Sequence, residues 1–600
     1  SGTGRRRRQR EPRRFATRRG GSGVVGACGS RREQPVKSAS VVGVMRASIV
    51  LVAVAACAPR VTPAAPPASS AIDIAGLLDV HSNLDGVLSP DGTKLAFRSN
   101  RGGAPGLYVS DVDRPEAPAR KLLGGPERIA SIVWLGDGKT ILVRQDHGGD
   151  EDFAIWAVAA DGSGPPDNLT PGKMWRDNPF PVPGDDRMFA YSARKLPGDD
   201  ASVIFVQAPG GAPRMAFRDT AAGAMLDVAP GGHTALWYRE VVTGGHDILE
   251  VDLDHGTLRP VEPRDGRPTM ATSAAYSADG QWIYVATDLG GEDHVVLALE
   301  RSTLTEVARY TQRDPATAQI ASIASSPRGD RLAITINAGN RSTVRLLDAK
   351  TLAAVADVKT PLGTATVGAF TEIALRLTPG VFSRDGARFV LGLSTADAPS
   401  DLYLVDTATA AVTPARSEPR PALAKLPPIT TSIAMARSFD GLEVPVNVYV
   451  LEPNIRGSTG FGRAYARADD HEKRWDALRD LAAVNAWARA QPWCTGALIV
   501  TGGSIGGYYG DPATQGALLD ALSPINAVDH IRAPLFVYQG EQDHRAPRIH
   551  ADRVVEALRK RGAPVEYMLV PDEGHTMARR KNQIEYLTRV LAFLQRSLAP

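Results

Sequence analysis

Six hundred residues exceed one domain, and at about 100–200 residues per domain the chain holds three or four units or two large ones. With 43% apolar, 22% charged and 6% aromatic residues, wholesale disorder and a polytopic membrane protein are excluded, and three cysteines exclude a disulfide scaffold or a multi-cysteine metal cluster. The net charge of +3 hides a split, because residues 1–44 carry eleven Arg, one Lys and two Glu, a net of +10, which leaves −7 on the other 556.

The arginine-rich start (Arg5 to Arg8, Arg10, Arg13, Arg14, Arg18, Arg19) has the charge of a nucleic-acid tail. Gly21-Ser22-Gly23-Val24-Val25-Gly26 fits a dinucleotide pattern, but no apolar strand precedes it and no βαβ unit follows. The first methionine is Met45, and residues 1–44 read as a basic disordered tail from upstream translation, foreign to the mature protein, with no nucleic-acid partner. From Met45 the character changes. Arg46 and the apolar run Ala47 to Ala56 read as an export signal, and Val54-Ala55-Ala56-Cys57 resembles a bacterial lipobox, so residues 45–57 form a signal with Cys57 as the lipidation site. Residues 58–73 follow as a Pro/Ala tether. The expected location is the periplasm, with a membrane anchor through Cys57.

A repeat occupies residues 74–415. Ser89-Pro90-Asp91-Gly92 is a turn, Lys94 to Phe97 a strand, and Leu107 to Val112 a second strand of alternating character. The pattern recurs around Gly138, Asp186, Gly232, Gly280, Gly329 and Gly386, at steps of 46, 48, 46, 48, 49 and 57 residues. Several short strands at such a period predict propeller blades, here seven. Inside the repeat, His147-Gly148-Gly149 reads as loop chemistry.

Past a Pro-rich connector (416–429), residues 430–600 alternate strands with helices, the pattern of an α/β-hydrolase domain. Ala497 to Val500 is a buried strand that runs into Gly502-Gly503-Ser504-Ile505-Gly506, a nucleophile elbow. Leu535 to Tyr538 is a strand with Asp543 past its end, and Val565 to Val570 is another, followed by Gly574-His575. The order Ser504, Asp543, His575 is that of the α/β-hydrolase triad. His575 would shuttle the proton of Ser504, Asp543 would orient the imidazole, and the Ile505 amide would be one oxyanion donor. His544 and His550 flank Asp543 without metal-ligand spacing, so no metal is expected.

These residues resemble the prolyl oligopeptidase family of serine peptidases, in its acylaminoacyl peptidase and dipeptidyl aminopeptidase branch. The likeness is carried by Asp440-Gly441, Pro453 to Gly462, Gly502 to Tyr508, Ser523-Pro524-Ile525, Gly540 to Asp543 and Glu573 to His575. It implies a propeller that admits short peptides to a Ser-Asp-His site, with no cofactor. Two stretches of the family pattern are missing. The sequence passes from Val448-Tyr449-Val450 straight to Pro453, without the His-Gly-Gly-Pro-type loop that supplies the second oxyanion donor, so none is assignable. After Tyr508 a strand-helix unit is skipped, leaving Ser504 and Asp543 only 39 residues apart and the hydrolase domain incomplete. False introns in the gene would account for both gaps. The alternatives are a catalytically impaired propeller that binds peptides, or an esterase. Asp150 and Glu151 read either as anchors for a substrate amine or as a turn.

Overall fold

The computed structural model describes residues 51–55, 73–101, 103–194, 201–242, 245–263, 265–367, 380–421, 423, 429, 431–448, 451–494, 498–503 and 514–598. The tail, Cys57, the tether up to residue 72, Ser504 and Ile505 lie outside the described residues.

Seven antiparallel sheets follow one another among the described residues between Asn83 and Pro414, six of four strands and the third of five. Each opens on a tight turn at the repeating Gly. In six blades the turn closes with the glycine N–H on the carbonyl three residues earlier, as from Gly92 to Ser89 and Gly280 to Ser277. Those glycines have φ between 64° and 74°, a left-handed conformation that other residues adopt at a cost. The third blade explains why the repeat there reads Asp186. Its turn is Val182-Pro183-Gly184-Asp185, closed from the Asp185 N–H to the Val182 carbonyl, and the glycine moves one place earlier at φ 95°. Proline second and glycine third is the chemistry of a type II turn.

The ring closes by side-chain packing. Seven separate apolar clusters lie between consecutive blades, one per interface, including one between the last and the first. That one joins Leu88, Leu95, Phe97 and Tyr108 to Val390, Leu402 and Leu404. No strand is exchanged across it among the described residues. A polar clip sits beside this seam. Arg101 grips both carboxylate oxygens of Glu418 at 2.5 and 2.6 Å and also donates to Asn83.

The α/β part is divided into two sheets. Ser432–Arg437, Glu443–Val448 and Leu451–Pro453 form an antiparallel sheet under the helix Arg474–Arg489, with Val484 packed on Ala436, Val444 and Val446. The second sheet has the order Leu498–Val500, Leu51–Ala55, Leu535–Gly540, Val565–Val570, flanked by the helices Ile549–Lys560 and Arg580–Leu598. Leu51–Ala55 falls within the run expected to be the apolar region of an export signal. It is a strand here, antiparallel to both neighbours. A short apolar run rich in valine carries no periodicity that separates these fates.

Propeller and hydrolase meet at several places. The segment 459–464 lies on the fifth and sixth blades, with Arg463 paired to Asp288, the Ala464 N–H on Glu292 (3.0 Å) and the Gly460 N–H on Gln319 (3.2 Å). The helix Ile74–Leu78 precedes the first blade strand and rests against the C-terminal helix, where Arg580 pairs with Asp79 at 2.7 Å.

Candidate active site

Leu535–Gly540 and Val565–Val570 are adjacent parallel strands, so the loops that leave their C-terminal ends emerge on one edge of the sheet. The first loop carries Asp543 and the second His575. Nδ1 of His575 and Oδ2 of Asp543 are 2.8 Å apart, with both side chains about 97% buried or more. The other carboxylate oxygen accepts the backbone N–H groups of Arg545 (2.9 Å) and Ala546 (2.8 Å), which fixes the carboxylate plane. With Nδ1–H held by the carboxylate, the lone pair of the ring is on Nε2, the state a general base needs.

Leu498–Val500 runs parallel to Leu535–Gly540, since both are antiparallel to the strand between them. Its outgoing residues Thr501, Gly502 and Gly503 therefore leave on the edge that bears Asp543 and His575. Ser504 and Ile505 come next in sequence and lie outside the described residues. The structure thus brings together two of the three triad candidates. Where the second oxyanion donor was expected, Val446 pairs with Pro453 and Val448 with Leu451, and the two residues that join these strands lie outside the described residues.

The histidine loop is braced from below and from across the domain boundary. Glu573, pushed up from the ordinary carboxylate range by burial, accepts the N–H groups of Ala578 (2.9 Å) and Arg579 (2.8 Å) and the Asn582 amide (2.8 Å). On the other side Gly574 lies against Gly149 of the second blade. A methyl group on Gly574 would stand 1.9 Å from the Gly149 carbonyl oxygen, and one on Gly540 would stand 2.1 Å from the Gly574 oxygen. Three backbones are stacked here with no space for a side chain. The sequence 147–149, read as ordinary loop chemistry, is thus a direct neighbour of the loop that bears His575.

The two acidic residues beside it have different fates. Asp150 is a turn residue, its carboxylate accepting the N–H groups of His147 and Asp152. Glu151 is buried, at φ 56°, and its Oε2 takes Nε of Arg545 at 2.5 Å, two residues from Asp543. Its other oxygen, Oε1, faces Arg128 at 3.6 Å. Sequence reading passed over Arg545, since nothing local ties it to a residue 394 positions away. His544 and His550 are exposed. Among the described residues no group of three or more His, Cys, Asp or Glu is disposed to hold a metal.

A seven-bladed propeller beside an α/β sheet, with a buried Asp–His pair beyond its parallel strand ends, defines a propeller-bearing α/β hydrolase. The comparisons with known proteins agree. The model of the prolyl oligopeptidase family matches residues 444–510 and 508–600. Dipeptidyl aminopeptidase BIII of Pseudoxanthomonas mexicana is 23% identical over 629 residues, covering 85% of this chain and 86% of its own. Dipeptidyl peptidase family member 6 of Caenorhabditis elegans is 36% identical over 80 residues, 13% of this chain and 11% of its own. Among solved structures, one from a study of two prolyl endopeptidases superposes with a TM-score of 0.69 at 15% identity, covering 88% of this chain and 90% of that one. A puromycin hydrolase superposes with a TM-score of 0.69 at 16% identity, covering 88% and 96%. Residues 444–600 match the prolyl oligopeptidase family, and that match, with the dipeptidyl aminopeptidase relative, supports a serine-type peptidase, a hydrolase.

Proposed function

We propose that the chain hydrolyses short peptides through Ser504, His575 and Asp543, releasing dipeptides or acylated residues from N-termini, with the propeller limiting access to small substrates. The observation that carries this is the buried 2.8 Å Asp543–His575 pair on the edge where the Leu498–Val500 strand also ends. Nε2 of His575 takes the Ser504 proton as Oγ attacks the carbonyl and returns it to the leaving amine, while Asp543 stabilises the imidazolium. The Ile505 amide serves as one oxyanion donor. The reading of dipeptide release leans on the relative named a dipeptidyl aminopeptidase. No cofactor enters this mechanism. The protein is further proposed to be exported and tethered through a lipid on Cys57, which lipid labelling lost in Cys57→Ala would support and unchanged labelling would refute.

The test of the catalytic reading is a fluorophosphonate probe on the full chain. Labelling at Ser504 that disappears in Ser504→Ala supports the mechanism. A folded, unlabelled sample overturns it. One observation favours a second reading, a peptide-binding propeller without turnover: Val448 pairs with Leu451, no residue is assignable as a second oxyanion donor, and a lost donor costs about 10²–10³ in rate. That reading predicts peptide binding with no product. An esterase would instead show ester turnover without peptide turnover.

A further inference from the structure

The connector that leaves the propeller starts inside the seam between the seventh and first blades, and Glu418 is the hub there. Its Oε1 accepts Arg101 (2.5 Å) and Arg416 (2.7 Å), and its Oε2 accepts Arg101 again (2.6 Å). His81 lies 3.5 Å from Oε2, at the limit of hydrogen bonding. Asn83 donates to Asp401 at 2.8 Å, and the other oxygen of Asp401 faces Nη2 of Arg420 at 3.0 Å. Three guanidinium groups thus meet two carboxylates, which leaves one positive charge in excess. The side chain of Arg416 is fully buried and that of Arg420 is nine-tenths buried.

The excess charge sits where acceptors are short. Arginine has five N–H groups. The two on Nη2 of Arg416 are used on Glu418 and on the Ala117 carbonyl oxygen, both at 2.7 Å. Nε and Nη1 of the same residue have no acceptor among the described residues, and Nε of Arg420 has none either. Phe97, 5.7 Å from Cζ of Arg416, adds a ring face and no oxygen. Leaving a buried charged donor unsatisfied costs more than leaving a neutral one, and native interiors supply the partner. Water answers this need poorly. It brings two hydrogens of its own, and the carboxylate oxygens at hand already accept from Arg101, Arg416, Asn83 and the Leu402 N–H.

We propose that the Arg416–Arg420 corner of the seam is an anion-binding site that takes one small monovalent anion of the chloride class. A single negative charge cancels the excess, and the anion accepts the N–H groups of Arg416 that the protein leaves over. Arg101 and Asp401, each about a fifth exposed, form the rim through which it enters. The ion lies where the connector crosses onto the first blade at Pro115 and Ala117, so it strengthens closure of the ring. The inference concerns the propeller and does not depend on Ser504 being a nucleophile.

Thermal unfolding of the full chain at constant ionic strength, with sodium chloride replacing sodium gluconate, tests it. The propeller midpoint should rise by about 2–4 °C and level off as the site fills. Arg416→Gln should abolish the rise, while Arg309→Gln, in a surface ion pair of the fifth blade, should keep it. Equal midpoints in the two salts, or a rise that Arg416→Gln retains, would overturn the proposal. Should Arg416→Gln not fold, crystals of the wild-type chain grown in sodium bromide decide. An anomalous-scattering peak beside Nε or Nη1 of Arg416 supports the site, and its absence overturns it.

Discussion

At the residue scale, the Asp543–His575 pair sets the sharpest expectations. Asp543→Asn keeps the shape but presents an amide where Nδ1–H needs a carboxylate, so kcat on a peptide substrate should fall by about 10⁴ with the far-ultraviolet dichroism unchanged. Gly574→Ala should also abolish turnover, by a different route. Its methyl meets backbone on the Gly149 side, and neither chain can yield as a flexible side chain would. The measurement is fluorophosphonate labelling alongside thermal unfolding of the propeller, which should be unaffected. The two residues of the Asp543–His575 pair were legible in the sequence because each follows a short apolar strand. Glu151, Arg545 and Gly149 were not, because their roles arise from how the second blade faces the sheet, and no local pattern encodes a contact between residues so far apart.

At the scale of elements, the blades show what a repeat does and does not reveal. Turn glycines at near-constant spacing marked the blades, and even the exception at Asp186 follows from a type II turn that moves the glycine one place earlier in the turn. Buried histidines were invisible to that reading. His246 and His294, around the junction of the fourth and fifth blades, are both held down to about 4 by burial. Between pH 6.5 and 4 the unfolded chain binds protons that the folded one does not, so their contribution is full above about 6.5 and drains away as pH falls. The size is on the order of 3 kcal/mol for each. Asp227, half-buried between the same blades and accepting the N–H groups of Tyr276 and Val228, is pushed up to about 6 by desolvation and acts oppositely. Its contribution is present at low pH and lost as pH rises from about 4 to 6. Urea midpoints of the propeller against pH should therefore fall more steeply on the acid side in Asp227→Asn and less steeply in His294→Gln.

At the scale of the whole molecule, the hydrolase is fastened to the propeller on opposite sides of its chain, at Arg463–Asp288 and at Arg545–Glu151, both pairs largely buried. Arg463→Ala leaves the buried Asp288 carboxylate without its ion-pair partner, held by the N–H groups of Met270 and Gly290, and removing one partner of such a pair costs up to about 3–5 kcal/mol. The expected result in calorimetry is a hydrolase transition that separates from that of the propeller. The two-part architecture was readable from the change of pattern at the Pro-rich connector. The pairing of Leu51–Ala55 in the sheet was not, because a five-residue apolar run is equally good material for a strand or a signal core. The seam between the seventh and first blades bears a load the other six interfaces escape. Joining the two ends of a segment of about 330 residues costs loop-closure entropy of about 5 kcal/mol, and that term falls wholly on the interface that shuts the circle. The Arg101–Glu418–Asn83 clip stands at that interface and adds charge-assisted hydrogen bonds where that cost falls.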